Sequence, residues 1–344
     1  MRAHSITVLP MLSLLLLLSM VLGASVGAVS IPPRNVAAIL VDRLPGIRLS
    51  PVWTADEVAI IMHIRLPRVV TAMVVGAALA AAGVIFQGLL RNPMADPYII
   101  GTSGGAGLGA TIAFILLPAH VVWHGFTLLS LLAFAGALGA VLLVYHIARV
   151  GPRTPIVTLL LAGFALSSVL AATMSFLMLA SEPGLRRILL WLMGGLFSSN
   201  WDQLAVVIPI VIAGIAGACF LASDLNAFLL GEEQAAYLGV EVEQRKLILL
   251  TLGSLLTGSA VSISGLIGFV GLVIPHVTRL IFGPDHRLLL PASALVGALF
   301  LVLADLVARL ILAPAEVPVG IITALIGAPF FIYLLRRSKK EYSF

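Results

Sequence analysis

Polar residues along this chain are gathered into short breaks, and the stretches between them are apolar on every face. A helix that is apolar all round is buried in protein or in lipid, and one that crosses a bilayer needs about 20 such residues. The pattern predicts ten spans: 7–29, 65–90, 98–117, 121–146, 154–180, 203–222, 245–264, 271–282, 288–312 and 317–336. The second is rich in Gly and Ala, as befits a helix packed by others on all sides, where small residues permit close approach. The eighth is too short for a full crossing. The preceding "SISGLIGFVG" is therefore expected as irregular backbone, which is tolerated only inside protein or along a cavity. The fold class is an all-α polytopic membrane protein, with one transmembrane domain over 1–344.

Composition strengthens this picture. The chain is 60% hydrophobic and 10% charged, with a mean hydropathy of +1.14, against about 25% charged residues in ordinary globular chains. The lone Cys219 reads as a small buried hydrophobe, without a partner for a disulfide or a Cys-based metal site. A net charge of +5 scattered over short loops is not a nucleic-acid signal. The start, with Arg2, a Leu-rich core and small residues at 23–28, resembles a signal peptide, but its length favours a retained first helix. Residues 1–60 are then that helix and an outer segment.

Ten spans put both termini on one side. With the N-terminus inside, twelve of the twenty basic residues lie on the inner side, including all three lysines, in line with the positive-inside rule. The outer arginines, among them Arg65 and Arg68, are the anomaly. A weak repeat at an offset of 182 residues (Gly76, Gly83 and Pro93 against Gly258, Gly265 and Pro275) has the form of a transporter inverted repeat.

The candidate chemistry is sparse. Gly105, Gly107 and Ala110 spell G-x-G-x-x-A, but no strand precedes them and no acid follows at the needed distance, so helix packing is the better reading. No Gly-Lys pair exists, so the chain carries no P-loop and is not expected to be an ATP-hydrolysing enzyme. Asp305 and Arg309 sit four apart on one predicted helix and are expected to pair. His120 and His124 lack a third ligand beside them and read as surface or lining residues. The longest polar inner segment, 223–246, has an amphipathic pattern that would present Glu232 and Glu233 to the cytoplasm. Either a docking helix or a solvated interfacial helix fits it.

Five segments go further: "IRLPRVVTAMVVGAALAAAGVIFQGLLRNPMADPYIIGTSGGAGLGA", "LNAFLLGEEQAAYLGV", "GLIGFVGLVIPHVTRLIFGPDHRLLLP", "LADLVARL" and "EVPVGIITALIGAPFFIYLL". In order and without a large gap, they resemble the permeases of type II ABC importers, the cobalamin, haem and iron-siderophore family. The resemblance implies a ten-helix homodimer in the bacterial inner membrane with both termini cytoplasmic. It further implies two cytoplasmic ATPase subunits, which use the ATP, and a periplasmic or lipid-anchored binding protein. No cofactor would be bound by this chain. Transport would run by alternating access along the dimer axis.

Carried over residue by residue, the resemblance assigns Arg65, Arg68 and Arg309 to binding-protein docking. It assigns Gly231, Glu232, Ala235, Leu238 and Gly239 to coupling with the ATPases, with Glu233 beside them on the same loop. It puts Asn92 and Met94 at an inner gate, facing Pro155, Ile156, Val157 and Thr158. The alternative class is an ion-coupled secondary transporter that works without ATPase partners.

Overall fold

The computed structural model describes residues 2–27, 29–43, 45–50, 52–116, 122–123, 126–180 and 185–338. The architecture is nearly all-helical. Helix α1 (Arg2–Ser25) leads into the short amphipathic α2 (Pro33–Asp42). Helix α3 (Ala55–Ile60) is opened by a capping box, in which the Thr54 side chain accepts from the Glu57 N–H and Glu57 accepts from the Thr54 N–H. It runs through a π turn (Ile61–Arg65) into α4 (Leu66–Leu89). The second span is thus ten residues longer at its start than the hydropathy pattern predicts.

The chain continues with α5 (Thr102–Leu116), then a two-residue antiparallel ladder of β1 (Val122–Trp123) and β2 (Phe126–Thr127), and α6 (Leu128–Ala148). The fourth span therefore begins at 128, not 121, where Thr127 caps the helix by accepting from the Ser130 N–H. Next come α7 (Ile156–Ala180), the amphipathic α8 (Leu185–Leu192), α9 (Trp201–Phe220), α10 (Ala222–Phe228) and α11 (Glu232–Tyr237). The last four are α12 (Val242–Ser264), α13 (Val270–Phe282), α14 (His286–Leu310) and α15 (Val319–Ser338).

Among the described residues, seven helices are long and apolar enough to cross a membrane. Thr102–Ile115, Val270–Phe282 and Val319–Leu334 are shorter apolar helices. Together they occupy the ten predicted blocks, and non-helical backbone at 265–268 precedes the short α13 as expected.

Helix α4 is the axis of the bundle. It packs antiparallel to α14, with Arg68 opposite Asp305, Gly76 opposite Gly297 and Gly88 opposite His286. A Cβ at Gly76 would overlap the Gly297 carbonyl, and one at Gly83 the Gly271 carbonyl of α13. Backbones this close need glycine, which is why the second span is Gly/Ala-rich. Packing also explains the glycines of α5: Gly105 and Gly109 lie on the Gly136 and Leu132 carbonyls of α6. Helix α1 runs parallel to α14, with Val8 and Leu12 clustered near Ala292 and Gly23 near Val302. Leu334 of α15 shares a crevice with Pro93 and Met94 after α4, so the chain starts and finishes at one end of the bundle. By contrast, α7 leaves Val157, Leu161, Phe164, Phe176 and Leu179 exposed, an apolar face for lipid or another subunit.

Candidate functional site

The bundle has two polar ends. At the arginine end, Arg65 and Arg68, one turn apart, and the sequence-distant Arg309 converge on one carboxylate and one helix terminus. Arg68 forms a two-pronged ion pair with Asp305, Nε to Oδ1 at 2.9 Å and Nη2 to Oδ1 at 2.8 Å. It also reaches Glu316 at 2.7 Å and lies 5.6 Å from the centre of the Phe197 ring. Arg309 approaches the second Asp305 oxygen at 3.1 Å, the pair expected from their spacing. Its two terminal nitrogens donate to the carbonyls of Gly23 (2.9 Å) and Val26 (3.0 Å). Arg65 donates to Ala24 (2.9 Å), Ser25 (2.8 Å) and Val29.

The last carbonyls of a helix have no intrahelical donors and carry the negative end of its dipole. Here two guanidinium groups satisfy those of α1 and the chain just beyond it. Arg65 and Arg309 are 6% and 8% exposed and Asp305 1%, so the cluster is interior; Glu316, at 36%, is its rim. Of the three arginines that the family resemblance assigns to docking, Arg65 and Arg309 turn their donors inward, whereas Arg68 also reaches Glu316 at the rim.

At the opposite end, the loop between α9 and α12 folds as two short helices. Gly231 and Gly239 flank α11 at φ +114° and +88°, a region that L side chains rarely adopt. Leu225, Phe228 and Ala235 are buried beneath the loop. Leu230, Tyr237 and Leu238 stand out from it, Tyr237 at 91% and Leu238 at 65% exposure. Three large apolar side chains are thus bared at a polar end, beside Glu233. A cleft of about 510 Å³ beside it is lined by Arg91, Arg153, Glu232, Glu233 and Glu243, among others. The loop proper ends at Glu241, earlier than the 246 predicted, because Val242 to Lys246 already form the first turns of α12.

The loop is anchored on both flanks. On one, the Asn226 side chain donates to Asp285 (2.7 Å) and accepts from the His286 N–H (2.9 Å), tying α10 to the α13–α14 turn. The Asn226 amide, more than the neighbouring Arg287, holds the Asp285 carboxyl below its usual pKa. On the other, the buried Lys246 binds Glu232 (2.8 Å), Glu243 (3.0 Å) and the Thr154 carbonyl (3.0 Å).

The profile of the FecCD transport family matches residues 14–337. The chain belongs to this family. Among its FecCD relatives, the cobalamin import system permease protein BtuC of Halobacterium salinarum is 51% identical over 277 residues, 80% of this chain and 73% of that protein. The hemin transport system permease protein HmuU of Yersinia pestis is 42% identical over 286 residues, 82% and 84% of the two chains. A solved structure described as an inward-facing metal-chelate type ABC transporter aligns with a TM-score of 0.81 at 34% identity, over 96% of this chain and 98% of that one. A FecCD chain is a transport permease, in keeping with an integral membrane protein rather than an enzyme.

The sites expected of this FecCD chain divide by how the fold treats them. Gly231, Glu232, Glu233, Ala235, Leu238 and Gly239 lie together on one loop. Asn92 closes a turn by accepting from the Met94 N–H (2.9 Å), and Met94 lines a crevice with Leu272, Val273, His276, Phe331 and Leu334. Pro155, Ile156, Val157 and Thr158 do not line that crevice. They start α7, with Pro155 and Val157 exposed. His120, His124, Lys339 and Lys340 lie outside the described residues.

Two groups of residues went unread in the sequence. One is Lys246, which hydropathy treats as a boundary marker. The other is Tyr98, whose hydroxyl donates to the Ile267 carbonyl (3.1 Å) and accepts from the Ile267 N–H (3.2 Å), fastening the 91–101 turn to the irregular backbone before α13. The one available signal was a polar residue at the edge of an apolar block.

Proposed function

We propose that this chain is the permease of an ATP-driven importer for a metal chelate or cobalamin, working as a homodimer between two cytoplasmic ATPase subunits and a substrate-binding protein. The observation that carries the reading is the loop of α10 and α11: a double-anchored element with an exposed apolar crown, in a chain of a transport-permease family that has no P-loop of its own. In this reading the loop end is cytoplasmic in the bacterial inner membrane and docks on the ATPases. The α7 face seeks the second subunit along the transport path. Asn92, Met94 and 155–158 gate that path by alternating access.

The binding protein docks at the arginine end. Glu316 and the rim of Arg68 are the parts of the cluster within its reach, with Arg65 and Arg309 holding α1 beneath them. Charge at such a surface orients an encounter and speeds it more than it tightens it. Asp305 is a poor proton or ion relay, since both its oxygens face arginines. The 51% identity to a cobalamin permease makes a corrinoid the first substrate to try.

The test is reconstitution in liposomes with an ABC ATPase and a substrate-binding protein from the same organism, measuring uptake of radiolabelled cobalamin, haem or ferric siderophore. Uptake that needs ATP, the ATPase and the binding protein is expected. Uptake by the permease alone would overturn the reading.

A further inference from the structure

We propose that Lys246 is the positioning residue that carries motion of the α10–α11 loop to the first turn of α7. An ammonium has three donors, and those of Lys246 are spent on three different segments. One goes to Glu232, the first residue of α11; one to Glu243, a turn earlier on α12; and one to the carbonyl of Thr154, just ahead of α7. The Thr154 N–H closes the ring by donating to the other Glu243 oxygen at 3.0 Å. The Lys246 side chain is 4% exposed while Glu232 and Glu243 are 32% and 29% exposed, so a buried cation is held by two carboxylates at the edge of the cleft.

The position of Thr154 is what gives the tripod its direction. Pro155 follows it and has no N–H, and the first-turn bond of α7 runs from the Leu159 N–H to the Pro155 carbonyl at 3.0 Å. The Thr154 peptide therefore lies outside the helix, with both its N–H and its C=O committed to the Glu243–Lys246 pair. A partner that pushes α11 pulls on Glu232, and the pull reaches α7 through one buried cation. Three residues on, Val157 is 68% exposed on the face of α7 that is left without a partner in the subunit. A link holding only α12 and the loop would be structural; the branch to Thr154 makes it a transmission.

This inference rests on the importer reading, and its test separates the two. The permease is assembled with its ATPase subunits in nanodiscs on a Cys219→Ser background, which removes the single native cysteine. Val157→Cys reports the start of α7 and Tyr237→Cys reports the loop, each through its rate of modification by a water-soluble thiol reagent with and without nucleotide. Uptake per ATP hydrolysed is measured in liposomes.

In Lys246→Met, the nucleotide-dependent change at position 237 is expected to persist. The change at 157 and the uptake per ATP should each fall roughly tenfold, within the range of measured coupling mutations. Lys246→Arg should restore both. Should Lys246→Met fail to assemble, Glu232→Ala, which leaves no acceptor for the ammonium, cuts only the loop branch of the tripod and should show the same split. An unaltered response at 157 in an assembled Lys246→Met or Glu232→Ala complex, with normal uptake per ATP, would overturn the role of Lys246 and leave the importer reading standing. Wild-type uptake that ignores the ATPase would overturn both.

Discussion

Asp305 of α14 holds Arg68 of α4 by two short contacts, 2.8 and 2.9 Å, while its second oxygen faces Arg309 one turn along its own helix. The carboxylate is 1% exposed, and both arginines lean on it in the interior. Removing one partner of a buried pair leaves an uncompensated charge, typically at a cost of about 3–5 kcal/mol. Asp305→Ala is accordingly expected to lower the thermal unfolding midpoint in detergent strongly. Glu316→Ala, at the exposed rim, should lower it little. Equal effects from the two would refute the assignment of the interior pair.

Arg65 provides the second prediction. Charge reversal at Arg65 is expected to disturb the fold and not only docking, because its guanidinium holds the Ala24, Ser25 and Val29 carbonyls. Hydrogen bonds from a charged group contribute about 1.5–3 kcal/mol each, so Arg65→Glu should release the end of α1. Hydrogen exchange at residues 22–31 would rise sharply in that variant, and unchanged protection there would refute the clasp.

Gly83 and Gly139 make a matched pair for the third. A methyl on Gly83 overlaps the Gly271 carbonyl, whereas a methyl on Gly139 meets nothing within 4 Å. Overpacking a tight contact costs typically about 1–3 kcal/mol. Thermal denaturation should show Gly83→Ala clearly destabilised and Gly139→Ala close to wild type.

The fourth concerns pH. Asp96 sits in the turn between α4 and α5, where burial pushes its carboxyl up to about 6, only partly offset by the Tyr98 N–H that it accepts at 2.8 Å. A folded pKa above the ordinary carboxylate value of 3.8 means that the folded state binds the proton more tightly than the unfolded one. This group's contribution to stability is therefore greatest at low pH and is lost as pH rises from about 4 through about 6, at up to about 1.4 kcal/mol per unit. Asp96→Asn keeps the acceptor for the Tyr98 N–H and should flatten that part of the profile. Midpoints measured from pH 4 to 7 would decide it, and an unaltered slope in the variant would count against it.

Hydropathy alone marked a multi-pass membrane protein with ten apolar blocks, because lipid demands a long apolar block for each crossing; among the described residues seven of them are helices long enough to cross and three are shorter. The same reasoning exposed the broken backbone before α13, since the apolar block at 271–282 is too short for a crossing and leaves the rest of it to be explained. The α10–α11 loop was visible as amphipathic periodicity in an otherwise apolar chain. The extra turns at 55–65, by contrast, were hidden, because Asp56, Glu57, His63 and Arg65 give a polar average over what is one continuous helix.

The polar contacts were decided by the tertiary structure alone. Periodicity records which face of a helix is apolar, but not which distant segment will meet a charged group on it. That Arg65 and Arg309 cap α1 depends on α1 running parallel to α14. That Lys246 joins Thr154 to Glu232 depends on where the α6–α7 turn lands, 92 residues back along the chain. A lone lysine at the edge of an apolar block looks the same in sequence whether it snorkels to water or closes a buried tripod. Only the packing of the helices around it selects between them.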